Sequence, residues 1–381
     1  MEARGKTSQQ MIKDANLKLI FNLIGEEEPI SRADLKKITG LSATTVSALC
    51  EELLEKNLIV ETGVKKSATS GRKAILLSIN PNGGCFCGVE LASSLKLEVY
   101  DLNFRRIASV KEKVQNWRQV SGQIVSMLQG LSGQLAQHGQ LLGLSVGAPA
   151  TIDTQNRRIL SSTVLDQRAT EEDIVAELEA ALPDIPILLC NDSSLIAYAE
   201  KEFGSHVSNL VSIDISEGVG SGIVIDGGIY AGAGGMAGEF GHVSVDLNGP
   251  KCKCGSFGCL ESMVSIPAVT KRIYAATGRE LTPCEVQKAC QKGDKVLQDI
   301  LNDTARVLSF GINNLLNLLD PEIIVLAGEI KDFGDALLLP LRQLLAEKAL
   351  PGKQIPVQFS SVEGNAVTLG GARYAFDVRF Q

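Results

Sequence analysis

One histidine and three cysteines lie close together in this chain: His242, then Cys252, Cys254 and Cys259. Three thiolates and one imidazole make a complete tetrahedral donor set for zinc. The Cys-x-Cys pair and Cys259 converge only if the chain turns tightly, and Gly249-Pro250, Gly255 and Gly258 allow such turns. Four protein ligands leave no open position, so the expectation is a structural zinc ion rather than a hydrolytic one. The plainer alternative is three ordinary cysteines beside a chance histidine. Against it, the chain has only three histidines and this one directly precedes the cluster. Two acids flank the segment, Glu239 and Glu261. Asn191-Asp192 follows the apolar run 187–190; from the residues alone it reads as a helix cap, with Asp192 well placed for that role. Cys50, Cys85, Cys87, Cys190, Cys284 and Cys290 are expected to be structural thiols, and His138 and His206 lone surface residues.

The elements that must position these groups begin after Pro81-Asn82-Gly83-Gly84. Cys85–Leu91 and 95–100 read as an antiparallel pair, and Leu141–Ala148, 187–190, Leu210–Ile215, 222–225 and Ile323–Ala327 as buried strands. Helical patterns fall at about 116–138, 170–182, 193–203, 265–278, 295–319 and 335–349. The mixture predicts an α/β body. About 300 residues is large for one core, so two lobes are expected: one about 81–190 plus the C-terminal helix, the other about 191–365. No internal repeat is visible by eye.

Residues 1–80 read as a separate head. Leu17, Ile20, Phe21 and Ile24 form one apolar helical face, closed by Pro29. Ser31-x-x-Asp34 opens a second helix as a capping box, with Leu35 and Ile38 inward. Thr39-Gly40-Leu41 makes a short turn with Gly40 free to take positive φ. Ser42 caps a third helix whose buried face is Val46, Leu49, Cys50, Leu53 and Leu54, and whose exposed start carries Thr44, Thr45 and Ser47. Two strand-like runs, 58–61 and 74–79, flank a basic loop containing Lys65, Lys66, Arg72 and Lys73. Short turn, hydroxyl-rich helix start and basic wing together predict a winged helix-turn-helix. The expected DNA contacts are Arg32, Ser42, Thr44, Thr45, Ser47, Arg72 and Lys73. The competing reading is a three-helix protein-interaction module.

Charge distribution agrees with a small DNA-reading head. The first 80 residues carry 12 Lys and Arg against 10 Asp and Glu; the remaining 301 carry 25 against 34. The net charge of −7 argues against coating nucleic acid by bulk charge. No apolar stretch approaches the ~18 residues of a membrane span, and the polar start lacks a signal-peptide core, so a cytoplasmic protein is expected.

The run Gly238-Glu-Phe-Gly-His242, followed by Gly249-Pro-Lys-Cys-Lys-Cys-Gly255-x-x-Gly258-Cys-Leu-Glu261, resembles the signature of the ROK family of repressors, open reading frames and sugar kinases. The resemblance extends over nearly the whole chain. Ile30-Ser-Arg-Ala-Asp-Leu and Thr39-Gly-Leu-Ser resemble the family's repressor heads, and residues 245–252 are similar to the xylose-repressor branch. The nearest type is that of the xylose and N-acetylglucosamine repressors. The resemblance implies an actin-like, ribonuclease H-like body of two lobes with a monosaccharide in the cleft. It implies that Asn191, Asp192, Glu239, His242 and Glu261 hold that sugar. His242 would bind zinc through one ring nitrogen and sugar through the other, the metal fixing its tautomer. In the family's kinases the Asp of the Asn-Asp pair is the general base, a role vestigial in a regulator.

Departures from the kinase pattern separate regulator from enzyme. Where kinases carry Asp-x-Gly-Gly-Thr, this chain reads Glu90-Leu-Ala92-Ser93-Ser94; where they carry Gly-Thr-Gly-x-Gly, it reads Ser216-Glu217-Gly218-Val-Gly220. A third nucleotide-side run reads Ala327-Gly328-Glu329. Missing glycines block close approach of backbone N–H groups to phosphate. A like charge about 4 Å away costs roughly 4 kcal/mol at an effective dielectric of 20. The family's sugar-contacting Pro-Asn is also absent from 161–166. The expectation is therefore a non-enzymatic, sugar-responsive repressor of carbohydrate-utilisation genes, a homodimer or dimer of dimers on double-stranded operator DNA. The alternatives are an ATP-dependent sugar kinase with a regulatory head, and a regulator answering to a protein partner.

Overall fold

The computed structural model describes residues 8–64, 74–348, 350 and 356–380. They form two compact units, one from residues 1–147, 164–189 and 371–381, the other from 148–163 and 190–370.

The first unit opens with helices Ser8–Glu26, Arg32–Thr39 and Ala43–Glu55. Leu17, Ile20, Phe21 and Ile24 are all buried, as their spacing requires. Ser31 Oγ accepts from Asp34 N at 3.2 Å and donates to Asp34 Oδ2 at 2.7 Å, so the box closes side chain to side chain. Gly40 takes φ +70°. Leu35 is fully buried but Ile38 is 53 % exposed: the short second helix turns it outward, contrary to its apolar character. Leu54 is only half-buried. Strand Ile59–Val64 pairs with Ile75–Ile79, and Ile30–Ser31 adds to the far edge, giving three antiparallel strands. The basic loop with Arg72 and Lys73 lies outside the described residues.

A five-stranded sheet follows in the same unit, ordered Ile187–Asn191, Leu141–Ala148, Cys85–Leu91, Ser94–Asp101, Arg106–Lys113. Cys85–Leu91 pairs antiparallel with Ser94–Asp101 and parallel with Leu141–Ala148. The central strand is buried on both faces, so it reads as an apolar run interrupted only by Glu90 near its end. Burial pushes the thiols of Cys50 up to about 11 and Cys85 up to about 12, fitting the structural role expected of them. The helical stretch expected at 116–138 divides into Val120–Gly130 and Ser132–Leu135.

The second unit repeats the plan. Its sheet runs Gly228–Ile229, Val219–Ile225, Leu210–Ile215, Ile323–Ala327, Val357–Phe359. Three consecutive antiparallel strands are extended by two later strands on the side of the first, as in the first unit's sheet. The repeat is thus one of topology, carried by burial pattern rather than residue identity. Helix Lys295–Leu319 lays Leu297, Leu301, Leu308 and Ile312 into the core over this sheet. Helix Pro283–Gln291 was not legible from apolar spacing, although Thr282 and Glu285 close a full capping box around Pro283.

Candidate functional site

His242, Cys252, Cys254 and Cys259 meet in the second unit, their ligand atoms all within 4.8 Å of one another. The chain returns on itself there: Val245 N bonds Gly258 O at 2.9 Å, Gly258 N bonds Pro250 O at 2.8 Å, and Cys252 N bonds Ser256 O at 2.8 Å. Gly258 has φ +65°, and a Cβ on it would stand 1.6 Å from Asp246 O, so only glycine fits the turn. Cys254 Sγ and Cys259 Sγ are 3.6 Å apart, and Cys252 Sγ is 3.8 Å from His242 Nδ1. A tetrahedral ion with Zn–S bonds of about 2.3 Å requires S···S edges of about 3.8 Å. The donor set and its spacing therefore fit one metal ion, with Cys252 and Cys259 buried, His242 half-buried and Cys254 at the surface.

The other expected ligand residues gather around strand Val219–Ile225. On one side stands the turn into helix Asp192–Ala199. Asn191, not Asp192, is its N-cap: Asn191 Oδ1 accepts from Ser194 N at 3.1 Å, while Nδ2 donates to Ala150 O at 3.2 Å. Asp192 is the first helical residue, its Oδ1 accepting from Ser193 N at 2.7 Å. The strand comes so near that a Cβ on Gly222 would lie 2.1 Å from Ser193 O. Across the strand, Ser221 Oγ donates to Gly238 O at 2.9 Å, fixing the turn that presents Glu239 and His242. Glu239 is exposed, whereas Asn191, Asp192, His242 and Glu261 are half-buried.

Glu261 opens helix Glu261–Val264, and its Oε2 accepts from Val219 N at 3.2 Å. That contact was invisible in sequence because the donor is backbone. It belongs to a self-bonded loop at 216–220. Ser216 N donates to Gly218 O at 3.0 Å, Ser216 Oγ accepts from Glu329 N at 3.2 Å, and Ser216 O accepts from Ile266 N at 2.9 Å. Beside it lies a cavity of about 610 Å³ whose lining includes Glu280, Glu285 and Glu329, with Lys271 the one cation among the lining residues.

In the head, Ser42 caps helix Ala43–Glu55 by accepting from Thr45 N at 3.1 Å. Its hydroxyl also bonds those of Thr44 and Thr45, each at 2.8 Å. Ser42 and Thr44 are exposed, Thr45 and Ser47 half-buried. Arg32 is half-buried, with a guanidinium nitrogen 3.5 Å from Glu61.

A two-lobed, actin-like α/β body, a cluster of one histidine and three cysteines, and the Glu-x-x-His turn beside it define a class, and the chain belongs to it: residues 92–377 match the ROK family. The xylose repressor of Caldicellulosiruptor bescii is 26% identical over 385 residues, covering 94% of this chain and 95% of the relative. The solved structure of a ROK family transcriptional regulator, a homologue of the Escherichia coli MLC protein, superposes with a TM-score of 0.80 at 27% identity, covering 97% of both chains. The ROK glucokinase of Streptomyces griseus, solved with glucose and AMPPNP, has the same fold at TM-score 0.63 and 24% identity; it covers 77% of this chain and 99% of its own. Among the described residues no helix is long and apolar enough to cross a membrane.

Proposed function

We propose that this chain is a sugar-responsive, DNA-binding transcription repressor of carbohydrate-utilisation genes, in which sugar binding in the second unit releases operator DNA. The observation that carries the reading is the loop 216–220. Its Ser216 and Val219 N–H groups, and that of Glu329, are satisfied by Gly218 O, Glu261 and Ser216. A phosphate drawn to those three donors would have to displace their bonds in a loop that carries Glu217 and adjoins Glu329, and unmet backbone donors are what phosphate loops rely on. The relatives named as repressors and transcriptional regulators match nearly the whole chain, head included.

The head is read as a winged helix-turn-helix with Ala43–Glu55 as the recognition helix. Ser42, Thr44, Thr45 and Ser47 lie at its N-terminal end, where helix N-termini meet phosphates and base edges. Arg32 and, in the wing, Arg72 and Lys73 complete the proposed DNA contacts. The sugar is assigned to Asn191, Asp192, Glu239, His242 and Glu261. With Nδ1 of His242 turned to the sulfurs, Nε2 is the nitrogen left for a sugar hydroxyl. Glu261 keeps Oε1 for the sugar while Oε2 holds the loop. The metal is read as a structural zinc that fixes the turn carrying Glu239 and His242, and the working form as a dimer that spans paired half-sites.

The test is operator selection from a randomised duplex pool, followed by fluorescence anisotropy titrations with D-xylose, D-glucose and N-acetylglucosamine. One of these sugars is expected to weaken DNA binding at least ~10-fold, a coupling of about 1.4 kcal/mol. A coupled ATP assay on the same sugars is expected to give no turnover; turnover near 1 per second, on the order of ordinary enzymes, would make the chain a kinase.

A further inference from the structure

We propose that Cys254 is an oxidation site: hydrogen peroxide joins Cys254 to Cys259 as a disulfide, removes two of the metal's four ligands and slackens the turn that carries Glu239 and His242. The oxidation rests on the metal reading above, and its effect on the effector rests on the sugar reading. The residues involved all lie in the second unit.

The three sulfurs of the cluster are not equally placed. Cys259 is 0 % exposed and Cys252 is buried, whereas Cys254 is exposed. Metal coordination holds a cysteine as thiolate, the form that attacks a peroxide, so access decides which sulfur reacts. An oxidant arriving from solvent meets Cys254 first. The resolving sulfur is already beside it, because Cys259 Sγ lies 3.6 Å from Cys254 Sγ. A disulfide of about 2.05 Å then needs an approach of roughly 1.5 Å. Gly255, next to Cys254, has φ +96°, and a Cβ on it would meet nothing within 4 Å, so the backbone there turns in open space. Gly258, next to Cys259, is wedged against Asp246 O instead. The exposed sulfur can therefore move onto the buried one.

The chemistry balances in two displacements. The Cys254 thiolate attacks one peroxide oxygen; an S–O bond forms, the O–O bond breaks, and the departing hydroxide takes a proton to become water. The Cys259 thiolate then attacks the sulfenic sulfur; the S–S bond forms, the S–O bond breaks, and a second hydroxide leaves and takes a proton. Two thiolates have lost two electrons, and one peroxide with two protons has become two waters. His242 and Cys252 remain as ligands, short of the four that a structural site uses. The turn keeps its Ser221 Oγ–Gly238 O bond but loses its anchor at His242. Excess thiol and zinc reverse the change.

The test treats the full-length, zinc-loaded protein with graded hydrogen peroxide, reading zinc with a chromogenic chelator and disulfides by peptide mass mapping. Cys284, exposed and outside the cluster, is the internal reference for unselective oxidation. A Cys254–Cys259 disulfide is expected before Cys284 reacts, with about one zinc released per disulfide and both restored by dithiothreitol and zinc. Oxidation of Cys284 while Cys254 and Cys259 stay reduced overturns the proposal, as does zinc loss without that disulfide. Cys254→His supplies a fourth ligand that peroxide does not convert to a disulfide, and is expected to keep its zinc at the same doses. Zinc loss from it at the wild-type rate overturns the proposal; if it binds no zinc as made, the wild-type map decides. A reduced wild-type protein that takes up no zinc rejects the metal reading and the oxidation site with it. In anisotropy titrations the oxidised protein is expected to need at least about tenfold more sugar to leave DNA. A reduced protein that ignores every sugar rejects the repressor reading and leaves the disulfide result standing.

Discussion

Cys259 sits at 0 % exposure beneath its turn, so its replacement is felt by both metal and backbone. Cys259→Ser and Cys254→Ser are each expected to lower bound zinc from about one per chain to near zero by elemental analysis, structural zinc contributing on the order of 10 kcal/mol in small peptides. Zinc retained at full occupancy in either variant would remove the metal assignment. Glu200 offers a pH-dependent test. It is fully buried, hydrogen-bonded by Ser360 through one oxygen, while Oε2 lacks a partner among the described residues. Burial pushes its carboxyl above the usual range. A raised acid contributes stability that is complete below its unfolded pKa and lost as pH rises through the folded one. Glu200→Gln is therefore expected to gain about 1 kcal/mol near pH 8 relative to wild type and much less near pH 4, in denaturant melts at both pH values. The set of one imidazole and three thiols was legible in the sequence because ligand chemistry restricts residue type and spacing. The capping role of Asn191 was not, because a one-residue choice of cap depends on backbone geometry that Asn and Asp satisfy alike.

In the head, the helix starts at Ser31 and Ser42 were legible as caps. Ser42→Ala removes the cap of Ala43–Glu55 and breaks the hydroxyl cluster with Thr44 and Thr45, at an expected cost of about 1 kcal/mol in thermal melts. Ile38→Ser, on the face the sequence misassigned, is expected to change stability by no more than about 0.5 kcal/mol. Buried strands such as Ile323–Ala327 announced themselves as apolar runs. Arg106–Lys113 escaped notice because it is an edge strand, alternating exposed charges with a few inward residues. Helix Pro283–Gln291 was missed for a different reason: its signal is a capping box at one end rather than a long apolar face.

At the scale of the whole molecule, the repeated strand order of the two units had no counterpart in residue identity, since topology constrains only where apolar groups fall. The acid-lined cavity and self-bonded loop 216–220 predict the response to nucleotides. Millimolar Mg-ATP is expected to leave the melting temperature within about 1 °C of its value without nucleotide. The effector sugar should raise it by several degrees, as a ligand of the native state does by mass action. A comparable rise with ATP would reopen the enzyme reading.

The ring of Phe21 and the charge of Lys18 are completed by residues more than 350 positions away in the chain. A chimera that grafts residues 1–80 onto a foreign body would strand an aromatic ring in water and discard the lysine's counter-ion. Portable specificity would need the donor's final helical turns spliced in as well, carrying Arg373, Phe376 and Asp377 together.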